Sequence, residues 1–215
     1  MDLLTNIWTY MLSHAAELGN AITDHLMLVS VSLGVAMLIC LPLGVWTSRS
    51  RFATLTLMNL INGMRVVPSL AILFLVVPYL GLNATSAAVA LTVLAMPPIL
   101  INTDAAFRNL DPAILEAARG MGMTQRQVLF RVEVPIALPV ILTGVRTAAV
   151  EVIASATLAA FVGSGGLGIY IARGFAMYDY SILMVGAIPV ALLTLVAENA
   201  LNFLQRVVQP PVGEK

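Results

Sequence analysis

Residues 104–134 read DAAFRNLDPAILEAARGMGMTQRQVLFRVEV, and they decide the fold because they form the one long, densely charged stretch of an apolar sequence. They include four arginines, Arg108, Arg119, Arg126 and Arg131. The runs on either side are uncharged or nearly so, and each has roughly the 20 residues that a membrane-spanning helix needs. The stretch therefore predicts a polar segment that connects two membrane spans.

The composition of the whole chain agrees with a membrane protein. Of its 215 residues, 60% are hydrophobic and 10% are charged, whereas a soluble domain normally carries about 25% charged residues. Eleven basic and eleven acidic residues cancel, which excludes the basic surface of a nucleic-acid-binding protein. One cysteine and two histidines offer no cluster of ligands, so we expect neither a metal site nor a bound cofactor in this chain.

Cutting the chain at its charges gives five apolar runs, and we expect each run to span the membrane. They cover residues 26–46, 66–82, 84–103, 135–161 and 182–204. Prolines in and beside these runs predict kinks, which membrane helices tolerate because neighbouring groups take up the freed carbonyls. Residues 52–64 are also uncharged, and they either extend the second span or lie beneath it. The expected fold class is all-α, with about five transmembrane helices.

The basic residues also predict the orientation, because cytoplasmic loops collect lysine and arginine. With the N-terminus outside, nine of the eleven basic residues fall on the inner side, Arg173 falls outside and Arg146 lies within a span. We expect an external interfacial segment over residues 1–25, which lacks the basic region of a signal peptide. A transmembrane domain over 26–205 and a cytoplasmic tail over 206–215 follow, with the connecting segment at 104–135.

The connecting segment has the local signals of two short helices. Asp111 is an N-cap residue followed by proline, and the helix that it starts should stop at Gly120 or Gly122. Thr124 starts a second helix, with Gln127 three residues later in capping-box register. Two helices around a glycine turn suggest a docking element, although periodicity alone equally allows a solvated loop.

This segment resembles the EAA motif of binding-protein-dependent ABC importer permeases. The family pattern is EAA, three residues, glycine, nine residues, and an apolar-x-apolar-proline end. The matching residues here are Glu116, Ala117, Ala118, Gly122 and the VEVP sequence that ends at Pro135. The two valines of VEVP depart mildly from the isoleucine and leucine that the family prefers.

The resemblance extends from about Arg65 to Gly174. Three stretches are similar to the osmoprotectant subfamily, which imports glycine betaine, carnitine, choline or related quaternary amines. They are RVVPSLAILF, DPAILEAARGMGMTQRQVLFRVEVPIALPVILTGVRTA and ATLAAFVGSGGLG.

The resemblance implies a non-catalytic half-transporter in the bacterial cytoplasmic membrane. In this family the short helix of the EAA loop enters a groove on a separate ATP-binding subunit. Two permease chains work with two such subunits and an extracytoplasmic substrate-binding protein, and ATP and magnesium belong to the ATP-binding subunits. The only lysine, Lys215, is the last residue, so this chain lacks a P-loop. The coupling residues that the resemblance implies are Glu116, Ala117, Ala118, Gly122, Met123, Thr124, Arg126, Leu129 and Pro135.

A second group of residues is expected along the translocation path. Arg146 and Glu151 are charges within a span, and such charges usually face a bundle interior or a water-filled cavity. Five residues apart on a helix, they diverge by about 140° and do not form a simple ion pair. For both residues, helix–helix packing is the alternative. The path and gate candidates are Arg146, Glu151, Ser155, Gly163, Gly165 and Gly166.

Two further patterns suggest ligand sites but have simpler interpretations. Residues 163–168, GSGGLG, match a dinucleotide-binding pattern, yet they follow an apolar span where a strand is required, so we expect a flexible external turn. Tyr170, Phe175, Tyr178 and Tyr180 could surround a quaternary ammonium group. An aromatic belt at the outer membrane surface is the favoured interpretation.

The leading function is therefore permeation of osmoprotectants, driven by ATP hydrolysis in a partner subunit. An ABC permease for another small polar solute, such as an amino acid, is the alternative within the same family. A secondary transporter or channel is less favoured, because we find no pair of internal repeats. An integral-membrane enzyme is weaker still, since no catalytic constellation of histidine, cysteine or paired carboxylates is present.

Overall fold

The computed structural model describes residues 3–208, without the side chain of Arg51. Within that part of the chain there are ten α-helices and no strand. They are α1 (Leu3–Ser13), α2 (Ala15–Ser48), α3 (Arg51–Met64), α4 (Ser69–Leu80), α5 (Ala84–Arg108), α6 (Pro112–Gly120), α7 (Gln125–Val128), α8 (Val134–Ser155), α9 (Gly168–Ala176) and α10 (Tyr180–Val208). A π-helical turn, Leu129–Glu133, joins α7 to α8, and a 3-10 turn, Leu158–Val162, follows α8.

Four stretches are long and apolar enough to cross a membrane. They are α2, α5, the run Gln125–Ser155 that ends in α8, and α10. The pair formed by α3 and α4 becomes a fifth span if its two bent halves are counted together. The all-α fold with about five transmembrane helices is thereby confirmed.

The second span, expected over residues 66–82 with residues 52–64 either extending it or lying beneath it, contains a sharp bend. Helix α3 ends at Met64, α4 begins at Ser69, and the two are bent by 98°. The cause lies in Pro68, which has no N–H to donate and pushes the residue before it out of the helical conformation. Residues 52–64 therefore form a separate helix at a steep angle to α4.

The first span is longer than expected. Helix α2 runs without a break from Ala15 to Ser48, so residues 15–25 belong to the same helix as the apolar run 26–46. No proline interrupts residues 15–25, and Gly19 alone costs a helix only about 1 kcal/mol. The expected boundary at residue 25 is not a helix end. Of the expected tail at 206–215, residues 209–215 lie outside the described part of the chain.

Helix α5 lies at the centre of the bundle, between α2 and α8. An added Cβ on Gly44 of α2 would lie 2.5 Å from the Cβ of Thr103, and one on Gly144 of α8 would lie 2.6 Å from the carbonyl oxygen of Pro98. Alanines of α5 are fully buried at these interfaces, among them Ala87 and Ala95. Small residues let membrane helices approach closely and gain van der Waals contact.

Candidate functional site

The connecting segment folds as the two capped helices that its sequence predicts. The Asp111 side chain accepts a hydrogen bond from the Ala113 N–H at 2.9 Å, and α6 ends at Gly120. At the start of α7, the Thr124 N–H donates to Gln127 Oε1 at 2.8 Å, and the Gln127 N–H donates to Thr124 Oγ1 at 3.4 Å. Both caps are local, which explains why the sequence alone predicts them.

The turn between α6 and α7 is a Schellman motif. The Gly122 N–H donates to the Arg119 carbonyl at 2.9 Å, and the Met123 N–H donates to the Ala118 carbonyl at 3.3 Å. Gly122 has φ +82°, the left-handed conformation that this motif requires and that glycine adopts most readily. The direction in which α7 leaves α6 therefore depends on this residue.

Helix α6 presents most of its surface away from the bundle. Ala118 is its one buried residue among those described, while Glu116 and Ala117 are exposed. Met121, at its C-terminal end, is 76% exposed. A short amphipathic helix that leaves its outer side chains uncovered has the shape expected of a docking element.

The remaining expected coupling residues lie along the path from this turn into the membrane. Arg126 is exposed on α7, and Met123 and Leu129 are half-buried. Leu129 begins the π-helical turn, and Pro135 is exposed in the first turn of α8. The π-helical turn was not expected from the sequence, in which Val128, Leu129 and Val132 have ordinary helical spacing.

Two contacts, which the sequence did not predict, hold the connecting segment against the C-terminal end of α2: the Arg49–Glu133 ion pair and a hydrogen bond from Arg108 to the Thr47 carbonyl. Glu133, 8% exposed, accepts from Arg49 with 2.7 Å between Oε2 and Nη2. Asp104 accepts from Arg108 at 2.8 Å, and Arg108 also donates to the carbonyl of Thr47 at 3.1 Å. The i, i+4 spacing of Asp104 and Arg108 is a signal that the sequence contains, whereas no local spacing connects Arg49 with Glu133.

A cavity of about 240 Å³ brings two of the expected path residues together. Glu151 and Ser155, both on α8, line it with the bend between α3 and α4, which carries Arg65. Arg146 does not line this cavity. Its Nη1 lies 3.4 Å from the side-chain oxygen of Asn202 on α10, a contact between two helices.

The glycine turn after α8 packs against the N-terminal half of α2 rather than against that cavity. Gly163, Gly165 and Gly166 all have positive φ. An added Cβ on Gly165 would lie 3.5 Å from Asp24 Oδ2, and one on Gly166 would lie 3.4 Å from His25 Nδ1. The turn follows a 3-10 helix rather than a strand, which excludes the dinucleotide-binding interpretation of its sequence.

The four aromatic residues after this turn are divided between the interior and the surface. Tyr170 is 4% exposed and meets Tyr10 edge to face at 6.5 Å between ring centroids. Phe175, Tyr178 and Tyr180 are each more than two-thirds exposed. Tyr170 is thus removed from the others, and an aromatic belt remains the better interpretation for the three exposed rings.

Comparison with known proteins gives the same picture over nearly the whole chain. The family model described as "Binding-protein-dependent transport system inner membrane component" matches residues 40–213. The carnitine transport permease protein OpuCB of Listeria monocytogenes is 42% identical over 178 residues, which are 83% of this chain and 81% of the relative. The glycine betaine/carnitine/choline transport system permease protein OpuCB of Bacillus subtilis is 33% identical, over 96% of this chain and 95% of the relative. The osmoprotectant import permease protein OsmW of Salmonella typhimurium is 36% identical, over 94% and 96%.

Solved structures show the same fold at lower sequence identity. An inward-facing methionine ABC transporter, MetNI, matches with a TM-score of 0.82 at 23% identity, covering 92% of this chain and 99% of that chain. An amino acid ABC transporter with histidines matches with a TM-score of 0.76 at 20% identity, over 96% and 98%. At these identities the comparison establishes the architecture, that of type I ABC importer permeases.

Proposed function

The chain belongs to the binding-protein-dependent transport system inner membrane components, and from that premise we propose that it imports osmoprotectants such as glycine betaine, carnitine or choline. The observation that carries the proposal is the alignment with osmoprotectant permeases over most of this chain and of each relative. The chain is the membrane-spanning subunit, and hydrolysis of ATP takes place in a separate subunit of the importer.

In the proposed complex, two ATP-binding subunits dock on the cytoplasmic side of two permease chains, which are identical or paralogous. A substrate-binding protein delivers the solute from outside. This arrangement requires the N-terminus outside and the C-terminus in the cytoplasm, an orientation supported by the distribution of arginines. ATP and magnesium are bound by the partner subunits.

The docking element in this proposal is α6 with the turn that follows it. Its support is the combination of a rigid, doubly capped geometry and an outer surface that the bundle leaves uncovered. Residues 116–118 and 122–124, with Arg126, Leu129 and Pro135, would carry movement of the ATP-binding subunit into α8. The Arg49–Glu133 ion pair and the hydrogen bond from Arg108 to the Thr47 carbonyl would pass the same movement to the end of α2.

The solute path in this proposal runs beside α8, past Glu151 and Ser155. Its support is the cavity that these residues share with the bend between α3 and α4. The glycine turn at 163–166 would act as the flexible element of the external gate. Arg146 has a weaker claim to the path, since it contacts Asn202 on the neighbouring helix.

The test is reconstitution of the chain in proteoliposomes with its ATP-binding subunit and its binding protein. We expect ATP-dependent uptake of labelled glycine betaine, carnitine or choline, and no uptake when the ATP-binding subunit lacks its P-loop lysine. Uptake that needs no ATP-binding subunit would refute the proposal. Uptake of amino acids in place of these solutes would favour the alternative substrate class.

A further inference from the structure

The cavity beside α8 is lined by two opposite charges that form no direct salt bridge with each other. Arg65 and Glu151 both line it. The ion pairs found among the described residues are Arg49–Glu133 and Arg108–Asp104, so neither cavity charge forms a salt bridge within this part of the chain. Glu151 lies within α8, and a charge within a membrane span usually has a partner or faces a water-filled path.

The side of the cavity formed by α5 adds partial negative charge to that of Glu151. Val93, Leu94, Pro97 and Pro98 all line the cavity. In an α-helix the carbonyls of Val93 and Leu94 would accept from the N–H groups four residues later. Those positions are prolines, which have no N–H, so both carbonyls lack their regular helical donors and can face a cation.

The bend that carries Arg65 adds partial positive charge. The twelve-residue helix α4 starts at the cavity, where Pro68 occupies the N-cap position and provides no side-chain hydrogen bond. The first N–H groups of a helix have no acceptor within the helix, and its N-terminus attracts anions. Arg65, whose planar guanidinium matches the shape of a carboxylate, lines the same cavity as Ser69, the first residue of α4.

From this juxtaposition we propose that the cavity binds the transported solute as a zwitterion, with a quaternary ammonium group near Glu151 and a carboxylate near Arg65 and the start of α4. The inference rests on the proposed function and narrows it. A solute with both charges, such as glycine betaine, is preferred over choline, which has only the cation.

The other residues that line the cavity favour weak, transient binding of the solute. The described lining residues are aliphatic, polar or charged and include no aromatic side chain, so the cation–π attraction of an aromatic cage is missing. Aliphatic residues such as Ile72 and Pro97 would contact the methyl groups of the solute's quaternary ammonium group. Binding is therefore weak enough for release, and a volume of about 240 Å³ holds only a small solute.

The test measures occupancy of the cavity in the assembled transporter, independently of transport. Cys40, the only cysteine and fully buried, is replaced by alanine, and Ser155→Cys places a thiol in the cavity. A small neutral methanethiosulfonate reagent then modifies this thiol in the presence of glycine betaine or choline. Ser69→Cys is a second reporter in the same cavity, should the first variant fail to assemble. Ser48→Cys, half-buried near the cytoplasmic end of α2, is the matched control outside it.

We expect glycine betaine to slow modification of the cavity thiol about tenfold more than choline does at equal concentration, because its carboxylate adds charge-assisted hydrogen bonds. Arg65→Gln should bring the ratio of protection by glycine betaine to protection by choline to about one. Arg173→Gln, a change to an exposed external arginine, should leave this ratio unaltered. Modification of the Ser48→Cys control should be insensitive to both solutes. Equal protection by the two solutes, or an unchanged ratio in Arg65→Gln, would overturn the proposal.

The uptake assay on the wild-type chain separates this inference from the proposed function. If glycine betaine is taken up but both solutes protect the cavity thiol equally, the zwitterion site is refuted and the proposed osmoprotectant import stands. Failure of all three osmoprotectants to be taken up would remove the proposed function, and with it the premise of the zwitterion site.

Discussion

Single charged residues at the ends of the helices beside the connecting segment determine how that segment is held. Glu133 is buried on the π-helical turn and pairs with Arg49 at the end of α2, whose side chain is 53% exposed. Removing one partner of a buried pair leaves the other uncompensated. Here the arginine can regain water, so the loss is smaller than for a fully buried pair.

We expect Glu133→Gln to lower the free energy of unfolding by about 1 kcal/mol, because a charge-assisted hydrogen bond becomes a neutral one. The measurement is thermal denaturation of the purified chain in detergent. Glu198→Gln, at an exposed carboxylate of α10, is the control and should have no effect. An equal decrease in both variants would show that the ion pair contributes nothing specific.

Gly122 is the second residue that determines the geometry of the connecting segment, because its backbone conformation sets the turn between α6 and α7. An added Cβ would meet no atom within 4 Å, but its φ is +82°. A β-branched residue is strongly disfavoured there, whereas asparagine tolerates the left-handed region. We therefore expect Gly122→Val to uncouple transport by distorting the turn, and Gly122→Asn to retain most of it.

The measurement is solute uptake together with solute-stimulated ATP hydrolysis in the reconstituted importer. Gly120→Ala is the matched control, because Gly120 also has open space around it but lacks a positive φ. It should behave as the wild type does. Solute-stimulated ATP hydrolysis that survives in Gly122→Val would contradict the coupling role of this turn.

At the scale of helices, close packing of α5 against α2 and α8 holds the bundle together. On α8, an added Cβ at Gly144 would lie 2.6 Å from the Pro98 carbonyl oxygen and 2.7 Å from the Cβ of Asn102. The first of these is backbone and cannot move aside as a flexible side chain would. Contact between α5 and α8 therefore requires glycine at this position.

We expect Gly144→Ala to destabilise the chain by about 1–3 kcal/mol, the usual cost of overpacking. Gly34→Ala is the control, since Gly34 also lies within a spanning helix but has nothing within 4 Å of an added Cβ. This control should be neutral or slightly stabilising, because alanine is the better helix former. The measurement is the melting temperature of each variant in detergent. Equal melting temperatures for Gly144→Ala and Gly34→Ala would contradict the predicted close contact.

The sequence predicts the ends of some helices correctly and those of others incorrectly. The caps of α6 and α7 depend on neighbouring residues and were predicted correctly. The start of α2 at Ala15 and the 98° bend before α4 were not. Cutting the chain at its charges shows where lipid can surround a helix, but a helix continues through Glu17 and Asp24 because their side chains do not break its backbone hydrogen bonds.

At the scale of the whole molecule, much apolar surface remains uncovered by the chain itself. Large hydrophobic side chains are exposed along the spanning helices, for example Leu38 at 77% and Val196 at 65%. Lipid, together with a second permease chain, would cover such a surface in the proposed complex. The connecting segment exposes polar side chains such as Arg126 and Gln127 beside the apolar Met121 and Phe130.

The orientation of the whole molecule gives a further prediction, derived from the placement of its arginines. In a Cys40→Ala background, Ser13→Cys should react with a membrane-impermeant thiol reagent in intact cells. Gln125→Cys should react only after the membrane is permeabilised. Both residues are exposed in the folded chain, so access depends on the side of the membrane. The reverse pattern would place the connecting segment outside and exclude docking of an ATP-binding subunit.

The sequence by itself determined the membrane class, a count of about five spans, the capped helices of the connecting segment and the family resemblance. These features arise from apolar runs, caps and motif spacing, all of which involve residues close together in the chain. Only the tertiary structure decided that Arg49 meets Glu133, 84 positions away, and that Arg65 and Glu151 line one cavity. Such pairings depend on how closely the helices pack and on where a proline bends one of them. The pattern of charges along the sequence encodes neither the packing nor the bend.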